Sequence, residues 1–335
     1  MEFLRKLRWV LYPSVFILVF IFGSYCSFPE EVVRKLVDGV VLNAAMAIGP
    51  KERGLPNINM NKVSLWRGTG ISIDGLKIIW PPSIKSTALN LNFDSLKGRV
   101  GIFSLLTNTK TISSKGDFYG GYMDSEIRIR MPNNLASLNV SLEKIDLAKM
   151  DFIETLIGAP LKGILDLMVD VDANSQLSKD GTGTIKVNLE NGVFGPGNLN
   201  LPAGGFVSSL AVPLLNLGKL TVDLSLDKGQ VTSKTFTLTG GDLEAEMQLL
   251  VSLGRVPQVS RLDGTGWFSL KKEFLAANET FKMLFDLIPE LRAAQQGDGK
   301  VGFSVRGSVS RPQFKLESSV GLLKPKAVQP PDMNE

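Results

Sequence analysis

The stretch 219-KLTVDLSLDKGQVTSKTFTLTGGDLEAEMQLLVSL-253 decides the fold, because it alternates with the period of a β-strand. Leu220, Val222, Leu224 and Leu226 share one parity, and Thr221, Asp223, Ser225 and Asp227 share the other. After Lys228-Gly229-Gln230 the pattern resumes with Phe236 and Leu238. After Gly240-Gly241 it resumes with Leu243, Ala245, Met247, Leu249, Val251 and Leu253. Successive strand side chains point to opposite sides, so these strands carry one oily face and one wet face. The oily face (Leu220, Val222, Leu224, Leu226, Phe236, Leu238, Leu243, Met247, Leu249 and Val251) is the candidate site. It lines either a filled core or a groove for a hydrophobic ligand, and alternation is the same in both cases.

The same signal recurs on both sides of the stretch. Ile71/Ile73, Leu76/Ile78/Trp80, Leu89/Leu91/Phe93, Ile127/Ile129/Met131, Leu138/Val140/Leu142, Leu165/Leu167/Val169/Val171 and Ile185/Val187/Leu189 precede it. Gly266/Phe268/Leu270, Val301/Phe303/Val305 and Phe314/Leu316 follow it. Trp80-Pro81-Pro82 ends one run, since proline cannot donate to a strand ladder. About fourteen strands, mostly joined by hairpin-like turns, are expected over residues 58–316. The triplets Gly68-Thr69-Gly70, Gly181-Thr182-Gly183 and Gly264-Thr265-Gly266 each read as the opening of a strand. Two helices interrupt. One covers 146-DLAKMDFIETLI-157 with Asp146 as its cap. The other covers Lys271 to Gln296, where Pro289 kinks or splits it. The second places Phe274, Phe281, Phe285 and Ile288 on one broad face, as a candidate cover for the sheet.

Composition bounds the chemistry. The chain has 335 residues, 44% hydrophobic and 21% charged, which is globular rather than disordered. Net charge is +4. Arg5, Lys6 and Arg8 less Glu2 supply +2 of it, leaving +2 for the other residues, too little for a nucleic-acid surface. There is no histidine, hence neither the commonest general base nor the commonest metal ligand. The one cysteine, Cys26, excludes an intrachain disulfide and a thiolate cluster.

The N-terminus reads as a membrane anchor. Residues 9–25, WVLYPSVFILVFIFGSY, are uncharged and at the lower length limit for spanning a bilayer. Phe16, Ile17 and Phe20 lie in its apolar centre, and Trp9, Tyr12 and Tyr25 suit the interfaces. Arg5, Lys6 and Arg8 before it hold residues 1–8 in the cytoplasm by the positive-inside rule. Bulky Tyr25 makes Gly23-Ser24-Tyr25-Cys26-Ser27 a poor cleavage site, so an uncleaved anchor is expected, with a cleaved signal peptide as the alternative. Residues 27–48 read as an amphipathic helix, with Val33, Val37, Val40, Val41 and Ala44 on the face that packs on the following domain. Residues 324–335 have no pattern and read as a disordered tail.

No chemical motif survives inspection. The G-T-G triplets lack the third glycine and the following helix of a phosphate loop. Asp170-x-Asp172-x-Asn174 begins like a calcium loop but has Ser175 and Gly181 where Gly and Glu belong. The Ser-x-x-Lys pairs Ser141/Lys144 and Ser269/Lys272 lie at strands and lack accompanying motifs. Acidic residues such as Asp223/Asp227 and Asp242/Glu244/Glu246 alternate with apolar ones and read as wet strand faces. No catalytic, metal or cofactor residue is expected.

The segments 180-DGTGTIKVNLENGVFGPGNL-199, 213-PLLNLGKLTVDLSLDKGQV-231, 236-FTLTGGDLEAEM-247 and 297-GDGKVGFSVRGSVSRPQF-314 carry a resemblance. Together they resemble the type II secretion system protein N (GspN) family in its long form, from the anchor to about residue 316, and more distantly the AsmA-like group. The resemblance implies a single-pass inner-membrane protein, most of it periplasmic, that works without catalysis alongside other type II secretion components. The AsmA-like likeness implies the alternative: binding or transfer of phospholipid along the apolar sheet face. The expected fold is therefore mainly β, a transmembrane helix followed by a large twisted, partly rolled antiparallel sheet, as an AsmA-like groove or an incomplete barrel or sandwich, with two or three helices. Membrane, secretion components and phospholipid are the expected partners; nucleic acid is not.

Overall fold

The computed structural model describes residues 30–48, 54–67, 70–82, 89–101, 104, 107–131, 134–150, 152–154, 158–174, 176–200, 209–254, 259–279, 282–283, 289–296 and 298–317. The expected anchor at 9–25 and the tail at 324–335 lie outside them. Among the described residues no helix is long and apolar enough to cross a membrane. The fold is mainly β, with antiparallel sheet that does not close on itself, and few helices. The chain divides into two compact units, Met1–Phe118 and Tyr119–Glu335.

The first unit holds helix α1 (Glu30–Ile48) and strands β1 (Asn57–Asn59), β2 (Lys62–Trp66), β3 (Gly70–Trp80), β4 (Leu89–Val100) and β5 (Thr109–Phe118). β1 and β2 follow one another along one edge of β3, whose other edge pairs with β4, which pairs with β5. Ile71/Ile73 and Leu76/Ile78/Trp80 are thus one strand, not two. Their parities differ because β3 is buried on both faces: Ile73 with its cross-strand partner Val63 on one, Leu76, Ile78 and Trp80 on the other. Trp80 ends the strand, as its two prolines require. α1 packs against β1 and β2. Its buried line is Val37 and Ala45, flanked by half-buried Val33 and Val41, at steps of four. Val40 and Ala44, expected on that face, are exposed. The contact stripe is narrower than the apolar stripe, and Arg34 closes one side of it by donating to the Met60 carbonyl.

The second unit is a meander. Its strands are β6 (Gly121–Arg130), β7 (Asn134–Asp146), β8 (Leu161–Asp172), β9 (Thr182–Phe194), β10 (Gly197–Asn200), β11 (Ser209–Val212), β12 (Leu215–Asp227), β13 (Gln230–Gly240), β14 (Leu243–Ser252), β15 (Arg261–Leu270), β16 (Val301–Ser308) and β17 (Arg311–Glu317). They pair in chain order, except that β10 and β11 form their own hairpin and leave β9 beside β12. Among the described residues there are seventeen strands against the expected fourteen or so, with the two runs in β3 merged into one. The strands that no expected run covers are β1, β2, β5, β10 and β11, which are short or rich in Thr, Ser, Lys and Gly and so lack a continuous apolar parity.

Both expected helices are broken. Asp146 does cap, its Oδ1 accepting from the Ala148 amide at 3.1 Å, but the turn it caps is 3-10 (Leu147–Lys149) and ends at Met150, whose backbone leaves the helical region. Helical backbone resumes at residues 152–154. The second helix gives α3 (Lys272–Ala277), interrupted at Asn278, helical backbone again at residues 279 and 282–283, and α4 (Pro289–Ala294); a one-turn α2 (Leu177–Asp180) lies earlier in the unit. Pro289 is the first described residue of α4. Of the triplets, Gly70 opens β3 and Thr182 opens β9, but Gly264 and Gly266 lie inside β15.

Candidate functional site

The ten residues of the expected oily face come together on one face of the second unit. Leu220, Val222 and Leu226 pair with Leu238, Phe236 and Val231; Val231 pairs with Val251; Leu243 pairs with Leu270. The register extends this face over strands that the sequence showed as separate runs. One row runs Leu142, Leu167, Val187, Val222, Phe236 across β7, β8, β9, β12 and β13. A second runs Val140, Val169, Ile185, Leu224. At about 4.8 Å per strand, the first row is about 19 Å long.

Local backbone devices keep the face continuous. Leu142 pairs with Leu167 but Ile145 pairs with Leu165, so one extra residue lies between Leu142 and Ile145. Lys144 absorbs it at φ 55, with its amide donating to Asp166 Oδ1 at 2.8 Å. On β15, Gly266 and Gly264 leave the room that their neighbours fill: a Cβ on Gly266 would stand 2.9 Å from Phe303 Cζ. Phe303 and Phe268 then lie 6.2 Å apart, centroid to centroid, filling that end of the face.

The two long margins of the face hold its most deeply buried side chains, and its middle is only partly buried, with Val169 and Leu224 packed against one margin. On one margin Val171, Leu226 and Val231 form a buried cluster, and Leu177 of α2 and Leu253 pack on it. Along the other margin Ile145, Leu189, Leu238 and Val301 are buried, Ile145 and Val301 completely, while Leu165, Leu220, Ala245 and Phe268 between them are half-buried. Between the two margins Leu142, Val140, Leu167, Val169, Val187, Ile185 and Leu224 are only half-buried, with Val222 the buried exception. Of the expected cover, Phe274 on α3 is buried, while Phe281, Phe285 and Ile288 lie outside the described residues.

The wet face carries a shallow depression of about 440 Å³ over β7, β8, β9 and β12, lined by Ser141, Glu143, Asp166, Lys186, Asn188 and Asp223 among others. Asn188 Oδ1 and Asp223 Oδ1 are sealed from solvent there with no hydrogen-bond partner among the described residues. Lys219 is engaged by Glu190 at 3.4 Å, and Ser141 donates to Glu143 at 3.3 Å. Asn174, at the end of the calcium-like run, accepts from Arg130 through its backbone carbonyl. Among the described residues no group of acidic and thiol side chains is spaced to hold a metal ion.

No protein-family model, curated protein or solved structure matches the chain.

Proposed function

We propose that this chain is a non-enzymatic envelope protein, anchored in the inner membrane with its bulk in the periplasm, whose sheet is twisted and partly rolled toward its apolar face to hold the acyl chains of a phospholipid. One observation carries the reading: the middle rows of that face, Val222 apart, stay partly exposed between margins that hold its most deeply buried side chains. A soluble protein seldom leaves so continuous an apolar strip open, and where it does the strip usually meets a partner or ligand. Full burial of one Leu or Val side chain is worth about 1.5–3 kcal/mol; these are already partly buried, so a bound chain gains a fraction of that from each, summed over several side chains.

The test extracts the full chain in mild detergent and measures co-purifying lipid by mass spectrometry. Val187→Asp and Leu142→Asp in the open rows should keep the fold and lose the lipid. No lipid above that of an unrelated single-pass protein would reject the reading.

A second reading, assembly with other type II secretion components, is supported by the resemblance to protein N and by the depression on the wet face, where a partner side chain can seat. Deleting the gene should then lower export of a folded type II cargo, and unchanged export would reject that role.

A further inference from the structure

β17 ends the second unit's meander, and among the described strands only β16 pairs with it. α4 packs against β16 and β17, but among the described residues no strand lies along the outer edge of β17, so its backbone groups, Pro312 nitrogen excepted, can meet a strand that comes alongside. Arg311, Pro312, Gln313, Phe314 and Lys315 are all exposed, Phe314 at 69%. Pro312, Phe314 and Leu316 pair with Gly307, Val305 and Phe303, which puts them on the apolar face of the sheet. Arg311, Gln313, Lys315 and Glu317 lie on the wet face.

This seven-residue strand is complementary to itself. Paired antiparallel about its midpoint, it sets Phe314 against Phe314, Pro312 against Leu316, Gln313 against Lys315 and Arg311 against Glu317. Apolar residues meet apolar ones, and each end brings opposite charges together. Neighbouring registers fail. A slip of one residue sets Phe314 against Lys315 and mixes the two faces. A shift of the midpoint to Lys315 sets that lysine against its own copy, and a shift to Gln313 sets Arg311 against Lys315. Both place like charges opposite each other. Glu317 is already steadied on its own chain, accepting from Ser304 Oγ at 2.6 Å. Pro312 lacks an N–H, but in this register it sits toward the end of the added ladder, not at its centre.

We propose that the outer edge of β17 is the docking surface for a second copy of this chain, in a two-fold dimer whose strands pair about Phe314. The apolar face of one copy then continues onto the next.

The experiment uses the full chain in mild detergent with Cys26→Ser, which removes the native thiol. Sedimentation should show a dimer. Phe314→Asp should weaken it at least about tenfold while leaving the circular dichroism unchanged. Mixing the Arg311→Cys and Glu317→Cys proteins under mild oxidation should give a mixed disulfide dimer, which neither variant gives alone. That cross-link reads the register even if Phe314→Asp fails to fold. A monomer at all concentrations, or a dimer without the mixed disulfide, would overturn the proposal. So would a membrane-embedded Phe314→Cys protein that cross-links to a different protein instead of its own copy.

Discussion

Leu142 and Ile145 face the same side of the sheet although they stand an odd three positions apart, because Lys144 takes φ 55 and its amide is held by Asp166. A lysine in that region costs roughly 1 kcal/mol that glycine does not pay. Lys144→Gly should therefore stabilise the second unit by about 0.5–1 kcal/mol, and Asp166→Ala should cost about 1 kcal/mol by freeing the amide. Urea unfolding of each variant checks both signs.

Gly266 and Gly264 should differ sharply in tolerance. A methyl at Gly266 meets the Glu246 carbonyl at 2.5 Å and the Phe303 ring at 2.9 Å, whereas at Gly264 the nearest atoms are at 3.2 and 3.4 Å. Gly266→Ala is expected to cost about 1–3 kcal/mol and Gly264→Ala less than about 1 kcal/mol. Equal costs in thermal unfolding would mean that Phe303 is not held over the glycine.

The deeply buried margins and the partly buried middle should respond differently to truncation. Leu226→Ala removes a side chain from the buried cluster with Val171 and Val231, and should cost about 2–4 kcal/mol. Val187→Ala, in a half-exposed row, should cost under about 1 kcal/mol in lipid-free protein. Added lipid should raise the stability of the wild type more than that of the Val187 variant, readable as a difference in unfolding midpoint.

Asp146 caps a single 3-10 turn through Ala148. Asp146→Ala should cost about 0.5–1 kcal/mol, and Asp146→Asn should recover most of it, since either side chain offers the accepting oxygen. Hydrogen exchange at the Ala148 amide gives the direct local readout.

The parity of apolar residues was enough to read the strands and to sort Leu220, Leu238 and Val251 onto one face. It could not show the devices that interrupt parity. The positive φ at Lys144 and the two-faced burial of β3 both depend on which strand lies alongside. β5 escaped because TKTISSKGDF has only Ile112 and Phe118 as large apolar residues, and its place comes from pairing with β4. The long second helix failed at Asn278, which ends α3 by donating its side-chain amide to the Phe274 carbonyl. That bond competes with the helix ladder and leaves no mark on the apolar spacing. The contrast between deeply buried margins and a partly buried middle is invisible to alternation, since Leu226 and Ile185 occupy the same kind of position in their strands.

In each unit nearly every described strand pairs with its neighbours in sequence, and in the second the β10–β11 hairpin stands aside between β9 and β12. Few distant segments must meet before the sheet can grow, so folding can advance hairpin by hairpin from any nucleus. The same locality makes the hairpin a unit of inheritance. A pair of strands can be duplicated or lost without redesigning a facing layer, much as a repeat is added to a solenoid. The apolar path would lengthen or shorten by the width of the strands exchanged.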